Sequence, residues 1–122
     1  MGERVRALRG ATTLDADSRD QVIERTATLL ETMMQRNGLT KADLISIVFT
    51  ATDDISSEFP AAAARQIGIS DVPLLCAREL AVDGAVEHCV RVLAHIYTEK
   101  QPEALRHVYL EGAVPLRTDL PQ

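Results

Sequence analysis

The stretch that decides the fold is Cys89-Val90-Arg91-Val92-Leu93-Ala94-His95-Ile96-Tyr97, the most apolar run of the chain. In a β-strand its side chains alternate between two faces, one of which is wholly apolar: Val90, Val92, Ala94 and Ile96. Arg91 then points away from its own core, toward a site or another subunit. A permanent cation in such a run is costly unless an anion meets it. We therefore expect a bound anion, with an ion pair to a neighbouring carboxylate as the alternative.

The segments before this strand predict a strand, a helix and a second strand. Residues 4–9 read as a short strand that ends at Gly10-Ala11-Thr12-Thr13, which places Arg9 at the strand end. Ser18, followed three residues later by Gln21, predicts a capped helix that stops at Asn37-Gly38. Residues 44–50 are apolar and β-branched, as in a buried strand.

The second half of the chain predicts the rest of a mixed sheet. Pro60 and Gly68 bound a short helix, and residues 74–82 form a third strand candidate. Asp83-Gly84 is a turn signal that favours a hairpin between this strand and the Arg91 strand. Residues 107–111 alternate as a final strand. We predict one α+β domain over residues 1–122, with two principal helices on one face of a mixed sheet and an oligomer covering the other face.

Composition excludes several classes of protein. A net charge of −5 argues against nucleic-acid binding, which needs a basic surface. The two cysteines, Cys76 and Cys89, are too few for a disulfide framework and favour a reducing cytoplasm. No apolar stretch approaches the roughly 20 residues of a membrane span, and the N-terminus lacks the apolar segment of a secretion signal. We therefore expect a soluble cytoplasmic protein that does not bind a membrane.

Charge dominates the candidate chemistry. Four arginines stand at element ends or on strands, and together they suit a dicarboxylate or phosphate ligand: Arg9, Arg65, Arg91 and Arg117. Solvated surface arginines are the alternative, above all for Arg65 and Arg117. Cys76 and Glu79, near the end of the third strand, are candidates to bind a substrate hydroxyl.

No motif for covalent, metal or cofactor chemistry is present in the sequence. The three histidines form no recognisable arrangement with either cysteine, so a nucleophilic thiol lacks a base. There is no H-x-x-x-H, C-x-x-C, P-loop or dinucleotide fingerprint. We therefore expect no metal and no cofactor, and binding through charge.

Five stretches in register carry a resemblance that extends from about residue 6 to residue 120. They are Leu8-Arg9-Gly10-Ala11-Thr12-Thr13, Phe59-Pro60-Ala61, Val72-Pro73-Leu74-Leu75-Cys76, Cys89-Val90-Arg91-Val92 and Arg106-His107-Val108-Tyr109-Leu110-Glu111. In these stretches the chain resembles the AroH-type chorismate mutases, the small trimeric α/β class. The resemblance implies a mixed five-stranded sheet with helices on one side, three copies forming a pseudo α/β-barrel, and active sites at the subunit interfaces.

The resemblance also implies a reaction and a role for each site residue. The reaction is the pericyclic conversion of chorismate to prephenate, without metal, nucleophile or cofactor. Arg91 would face the ether oxygen, and Arg9 with Tyr109 would hold the enolpyruvyl carboxylate. Glu79 with Cys76 would bind the ring hydroxyl. The remaining members of the substrate-binding set would wall the pocket or supply charge at its entrance: Phe59, Arg65, Leu75, Leu116 and Arg117.

Two positions depart from the family pattern, and two other functions stay open. Ala62 stands where a lysine is frequent, and Leu75 where a small polar residue is common. One alternative is a trimeric enamine/imine deaminase, which has a similar architecture and an interfacial arginine. The other is a non-catalytic module that binds a metabolite. Glu79 beside Cys76, together with Arg117, favours the mutase over the deaminase.

Overall fold

The predicted Arg91 strand is the central strand of a five-stranded mixed sheet. The structure, a computed structural model, describes residues 2–116 and 121. The strands are β1 (Arg4–Thr13), β2 (Leu44–Ala51), β3 (Leu74–Arg78), β4 (Cys89–Thr98) and β5 (Val108–Tyr109), in the spatial order β3-β2-β4-β1-β5. β4 is antiparallel to β1 and β2, whereas the outer pairs β2–β3 and β1–β5 are parallel. The predicted mixed five-stranded sheet is confirmed.

Two helices cover one face of this sheet, as predicted. They are α1 (Arg19–Arg36) and α2 (Ala61–Gln66), and short 3₁₀ turns occupy Lys41–Asp43, Pro102–Ala104 and Glu111–Leu116. The apolar face of β4 is buried in the core with residues of both helices and of β1 and β2. The predicted alternation of β4 is therefore confirmed, because Val90, Val92, Ala94 and Ile96 are all buried.

Helix α1 begins and ends where its capping residues predict. The Ser18 hydroxyl accepts a hydrogen bond from Gln21 N at 3.2 Å. The Gln21 side chain, however, accepts from Asp15 N at 2.7 Å, so the structure completes only half of a capping box. At the other end Asn37 is buried and its side-chain amide donates to Met33 O at 2.7 Å. This bond satisfies one of the carbonyl groups that a helix end leaves unpaired.

The predicted hairpin between the third strand and the Arg91 strand is wrong. Both edges of β4 are occupied, by β1 and by β2, so β3 pairs in parallel with β2 at the outer edge of the sheet. The chain between Arg78 and Cys89 must therefore cross past β2, and Asp83-Gly84 turns inside that crossing loop. Because the chain leaves the sheet after Arg78, β3 is shorter than the predicted strand over residues 74–82.

The first and last strands also differ from their predicted bounds. β1 pairs with β4 from Arg4 to Thr13, so Arg9 lies in the middle of a strand and not at its end. β5 is limited to Val108–Tyr109. Glu111 takes a left-handed backbone conformation, with φ of 51°, which ends the extended chain. The alternating pattern predicted a strand through residue 111, but the paired strand ends at Tyr109.

At Gly10 strand β1 has no room for a side chain. A Cβ there would lie 2.5 Å from Met33 Sδ and 3.0 Å from Leu29 Cδ1, both in the buried core. We expect Gly10→Ala to lower the free energy of unfolding by about 1–3 kcal/mol, the usual cost of overpacking. Urea denaturation measures this free energy. A Gly10→Ala midpoint equal to that of the wild type would contradict the close approach.

Neither α1 nor any other helix among residues 2–116 is both long enough and apolar enough to cross a membrane.

Candidate active site

The open face of the sheet, opposite the helices, holds a concavity of about 490 Å³. This volume lies within the range of small-molecule sites. The polar residues that line it are Arg9, Thr50, Glu79, Arg91 and Tyr109. Its apolar residues include Val48, Leu93, Pro115 and Leu116. Five of the predicted site residues therefore meet in one place: Arg9, Glu79, Arg91, Tyr109 and Leu116.

The centre of this concavity is an ion pair between Arg91 and Glu79. Arg91 Nε lies 3.2 Å from Glu79 Oε2, and the Thr50 hydroxyl donates to the same oxygen. The arginine side chain is 46 % exposed, so it is only partly removed from solvent. The ion pair that the sequence left as an alternative therefore exists. It uses Nε, one of five guanidinium N–H groups, so most donors stay available for a ligand.

The sheet register explains why these side chains converge. Thr50 on β2 is the direct neighbour of Arg91 on β4, which places both on the open face. Glu79 follows β3, and its backbone N donates to Ala51 O at 3.0 Å. This bond brings Glu79 back over the end of β2. Thr50 was not predicted as a site residue, although alternation along the predicted strand over residues 44–50 places it on the face opposite Phe49.

Ala11 separates Arg91 from Tyr109 across the sheet. Ala11 pairs with Arg91 on one side and with Tyr109 on the other, so the three residues form one row. Arg9 pairs with Leu93 and leaves the same face two residues earlier on β1. A small residue at position 11 leaves space between a guanidinium and a phenol. Such space, bordered by cations, suits a carboxylate.

Three other predicted site residues lie elsewhere on the chain. Phe59 and Cys76 line a second concavity of about 420 Å³, with Arg78 and the segment Ser56–Pro60. Phe59 is 66 % exposed. Leu75 is also exposed and pairs with Val48, which places it on the open face at the sheet edge. One chain therefore carries two separate groups of predicted site residues.

Cys76 and Glu79 line different concavities of one chain, so their joint action on one substrate hydroxyl stays a prediction. Cys76 pairs with the buried Phe49 and packs against the core on the helix side of the sheet. Glu79 lies beyond the end of β3 and reaches the open face. The sequence spacing placed the two close together, but strand alternation and the end of the strand separate their side chains.

Arg65 does not line the main concavity. Arg65 lies in the last turn of α2 and borders a surface depression with Gly68 and Asp71. Arg117 lies outside the described residues.

Cys89 is a buried thiol next to the site. It packs with Ala11 and Ala113, and Tyr109 and Leu116 lie against this cluster. Burial raises the pKa of the Cys89 thiol, although Arg91 acts in the opposite direction. The thiol therefore stays protonated near neutral pH and is a poor nucleophile. Within residues 2–116, no three His, Cys, Asp or Glu side chains are grouped so as to hold a metal ion.

Two arginines, a tyrosine and a glutamate held by Thr50 line a partly apolar concavity on the sheet of this small α/β protein. Such a lining suits an organic anion. A family model described as chorismate mutase type I matches residues 5–120. The chain is 45 % identical to chorismate mutase AroH of Thermus thermophilus, over 95 % of this chain and 96 % of that protein. It is 37 % identical to chorismate mutase AroH of Bacillus subtilis (strain 168), over 95 % of this chain and 92 % of that protein.

A solved structure shares the fold. It is a chorismate mutase from Clostridium thermocellum, with a TM-score of 0.87 and 44 % identity, and the match covers 88 % of this chain and 96 % of that chain. The chain belongs to the type I chorismate mutases, isomerases that convert chorismate to prephenate. The predicted family and enzyme class are confirmed.

Proposed function

We propose that this protein isomerises chorismate at a site that two subunits of a homotrimer share, and that Arg91 stabilises the transition state. The observation that carries the proposal is the position of Arg91, which Glu79 and Thr50 hold in the open-face concavity. A guanidinium in a fixed orientation stabilises charge without reorganising during the reaction.

The chemistry explains the need for a fixed cation. In the rearrangement the ether C–O bond breaks while a new C–C bond forms, within one molecule and without proton transfer. As the C–O bond lengthens, its oxygen gains negative charge. A cation aimed at that oxygen binds the transition state more tightly than the substrate, and this difference accelerates the reaction. Lysine is a poor replacement, because a compact ammonium lacks the planar fork that reaches the ether oxygen and a carboxylate together.

Arg9 and Tyr109 bind the enolpyruvyl carboxylate in this proposal. Both border the concavity on the side of β1 and β5. Tyr109 lies across Ala11 from Arg91, and Arg9 lies two residues before Ala11 on β1. Anchoring the carboxylate there holds the side chain of the substrate over its ring, in the compact conformer that can react. Restricting the substrate to a reactive conformer removes part of the entropic barrier.

Glu79 has two functions in the proposed site. Its Oε2 accepts from Thr50 and pairs with Arg91 Nε, which orients the guanidinium. In the described residues neither of these contacts uses Oε1. A carboxylate oxygen in this position accepts a hydrogen bond from the ring hydroxyl of chorismate.

The trimer explains why one chain carries two separate groups of site residues. Phe59, Leu75 and Cys76 of one subunit would complete the concavity around Arg91 of its neighbour, with Arg65 and Arg117 supplying charge at the entrance. Exposed apolar side chains on the open face support this assembly, since Val5, Leu93 and Tyr97 would otherwise stay in water. A heterologous contact of this kind closes into a ring of subunits.

We place the protein in the cytoplasm. Both cysteines are free thiols, Cys76 half-buried and Cys89 buried. This state fits a reducing compartment.

The test of this function is a direct assay. We expect the purified protein to consume chorismate without any added cofactor, which the loss of chorismate ultraviolet absorbance measures. Size-exclusion chromatography with light scattering is expected to give a trimer. The absence of consumption at micromolar enzyme would overturn the proposed function, and an active monomer would overturn the shared site.

A further inference from the structure

His107 forms a side-chain contact with the backbone of Arg9. Arg9 N donates a hydrogen bond to His107 Nδ1 at 2.9 Å. The parallel ladder between β1 and β5 comprises only Gly10 with Val108 and Ala11 with Tyr109. At Arg9, one residue before this ladder begins on β1, the His107 imidazole accepts the backbone hydrogen bond. In a longer β5 a backbone carbonyl would be the acceptor. The backbone of Arg9, whose guanidinium borders the concavity, is therefore bonded on this side to the His107 side chain.

The backbone at Arg106 and His107 is itself held by several hydrogen bonds. The Asn37 side chain accepts from Arg106 N at 2.8 Å and donates to Arg106 O at 2.9 Å. His107 N donates to Pro121 O at 2.8 Å. Asn37 and His107 are both buried, so water does not compete strongly for these bonds. The imidazole thus has a fixed position before any ligand binds.

This geometry requires one protonation state. Arg9 N is a donor, so Nδ1 must be unprotonated and the proton must lie on Nε2. Burial lowers the pKa of His107, and the nearby positive charge of Arg9 lowers it further. Within the described residues Arg9, on β1, is the charged group that acts on the imidazole. Asn37, which follows the end of α1, contributes a neutral amide that binds the adjacent Arg106 backbone. His107 is therefore neutral near pH 7 and loses its acceptor in acid.

We propose that His107 is a positioning residue that holds Arg9 in its substrate-binding place through Nδ1 and connects Arg9 to the C-terminal segment at Pro121. The proposal rests on the proposed role of Arg9 in binding a carboxylate of the substrate. It explains why a buried histidine lies at a sheet edge where a backbone carbonyl would suffice. An imidazole makes the position of Arg9 depend on pH, and a carbonyl does not.

Two variants distinguish the loss of the hydrogen-bond acceptor at position 107 from the loss of its titration. His107→Leu removes the acceptor, and we expect KM to rise about tenfold and kcat to fall by a smaller factor, because a displaced Arg9 binds the carboxylate more weakly and holds the reactive conformer less well. His107→Asn keeps an oxygen near the position of Nδ1 but cannot titrate. We expect its KM to stay close to that of the wild type at pH 7. Below the His107 pKa the wild-type KM is expected to rise, and the His107→Asn KM is expected to stay constant.

His88→Asn is the matched control. It removes another histidine whose left-handed backbone, with φ of 47°, asparagine tolerates well. This variant is expected to keep the wild-type rise of KM in acid. If His107→Leu does not fold, the dependence of KM on pH in His107→Asn tests the proposal. An acid-side rise of KM in His107→Asn that equals that of the wild type would overturn the proposal.

A second measurement does not depend on turnover. In ¹⁵N NMR spectra at pH 7 we expect His107 to show the Nε2–H tautomer and the Arg9 amide proton to be protected from exchange. Protection should be lost in His107→Leu and kept in His107→Asn. An Nδ1–H tautomer would overturn the proposal even if the enzyme is active. Absence of chorismate turnover with the expected spectra would instead contradict the proposed function and leave the contact between His107 and Arg9 established.

Discussion

Replacing Arg91 by alanine is expected to lower kcat/KM by about 10³-fold or more, because removing a single oxyanion donor already costs about 10²–10³ in kcat. In the proposed site the lost group carries a full charge and faces the bond that breaks. The ultraviolet assay at saturating and at low chorismate separates the two parameters. We expect most of the loss in kcat, since the ether oxygen becomes charged only in the transition state.

The fold should tolerate this change. Arg91 is half exposed and lies on the face opposite the core, so its truncation leaves no buried cavity. Glu79 loses a cation but keeps the Thr50 hydroxyl and access to water. Circular dichroism and thermal melting check this point.

Arg36→Ala is the matched control for charge. This arginine is exposed in the last turn of α1 and lies outside the site, so its removal should leave kcat/KM unchanged. Arg91→Lys should recover little activity, because a point charge cannot replace the planar fork. Activity of Arg91→Ala within tenfold of the wild type would contradict the role of Arg91.

Mixing two inactive variants is expected to restore activity. In the proposed shared site, Arg91→Ala disables the group of site residues around β4, and Phe59→Asp places a carboxylate on the path of the dianionic substrate. Phe59 is exposed in its own chain, so this substitution should not disturb folding. If each site takes one group from each of two subunits, random equal mixing leaves about one site in four intact, since each group comes independently from a subunit of either kind. Co-expression with two affinity tags, followed by the ultraviolet assay, measures this fraction.

The control mixture combines Arg91→Ala with Glu79→Gln. Both substitutions fall in the same group of site residues, so every site contains one of them and no site is intact. We expect this mixture to have no more activity than the sum of its parts. Recovery in the control, or none in the mixture with Phe59→Asp, would contradict a site shared between subunits.

Local sequence pattern was sufficient to locate the strands and α1, although not to set the ends of β1, β3 and β5. Side chains on a strand alternate with a period of two, so the apolar residues of the Arg91 strand had to lie on one face and Arg91 on the other. The hydroxyl of Ser18 and the amide of Asn37 mark the two ends of α1 through bonds with backbone groups a few residues away. Such contacts are visible in sequence because they are local.

That Arg91 and Glu79 lie in one concavity depends both on alternation along a strand and on the order of the strands in the sheet. Alternation predicts that Arg91 leaves the core, and the structure confirms it. That Glu79 is the carboxylate it meets depends on β2 lying between β3 and β4, which brings Thr50 beside Arg91 and the end of β3 over β2. No pattern within residues 74–82 encodes this neighbour, so the predicted hairpin was wrong.

The sequence by itself determined the presence and order of the strands, the principal helix, the outward face of Arg91 and the family to which the chain belongs. Only the tertiary structure decided which strands are neighbours, that Cys76 and Glu79 lie on different sides of the sheet, and that His107 holds Arg9. The reason is physical. Periodicity and capping arise from bonds between residues close in the chain, whereas strand order is set by burying one common apolar face, to which distant segments contribute together.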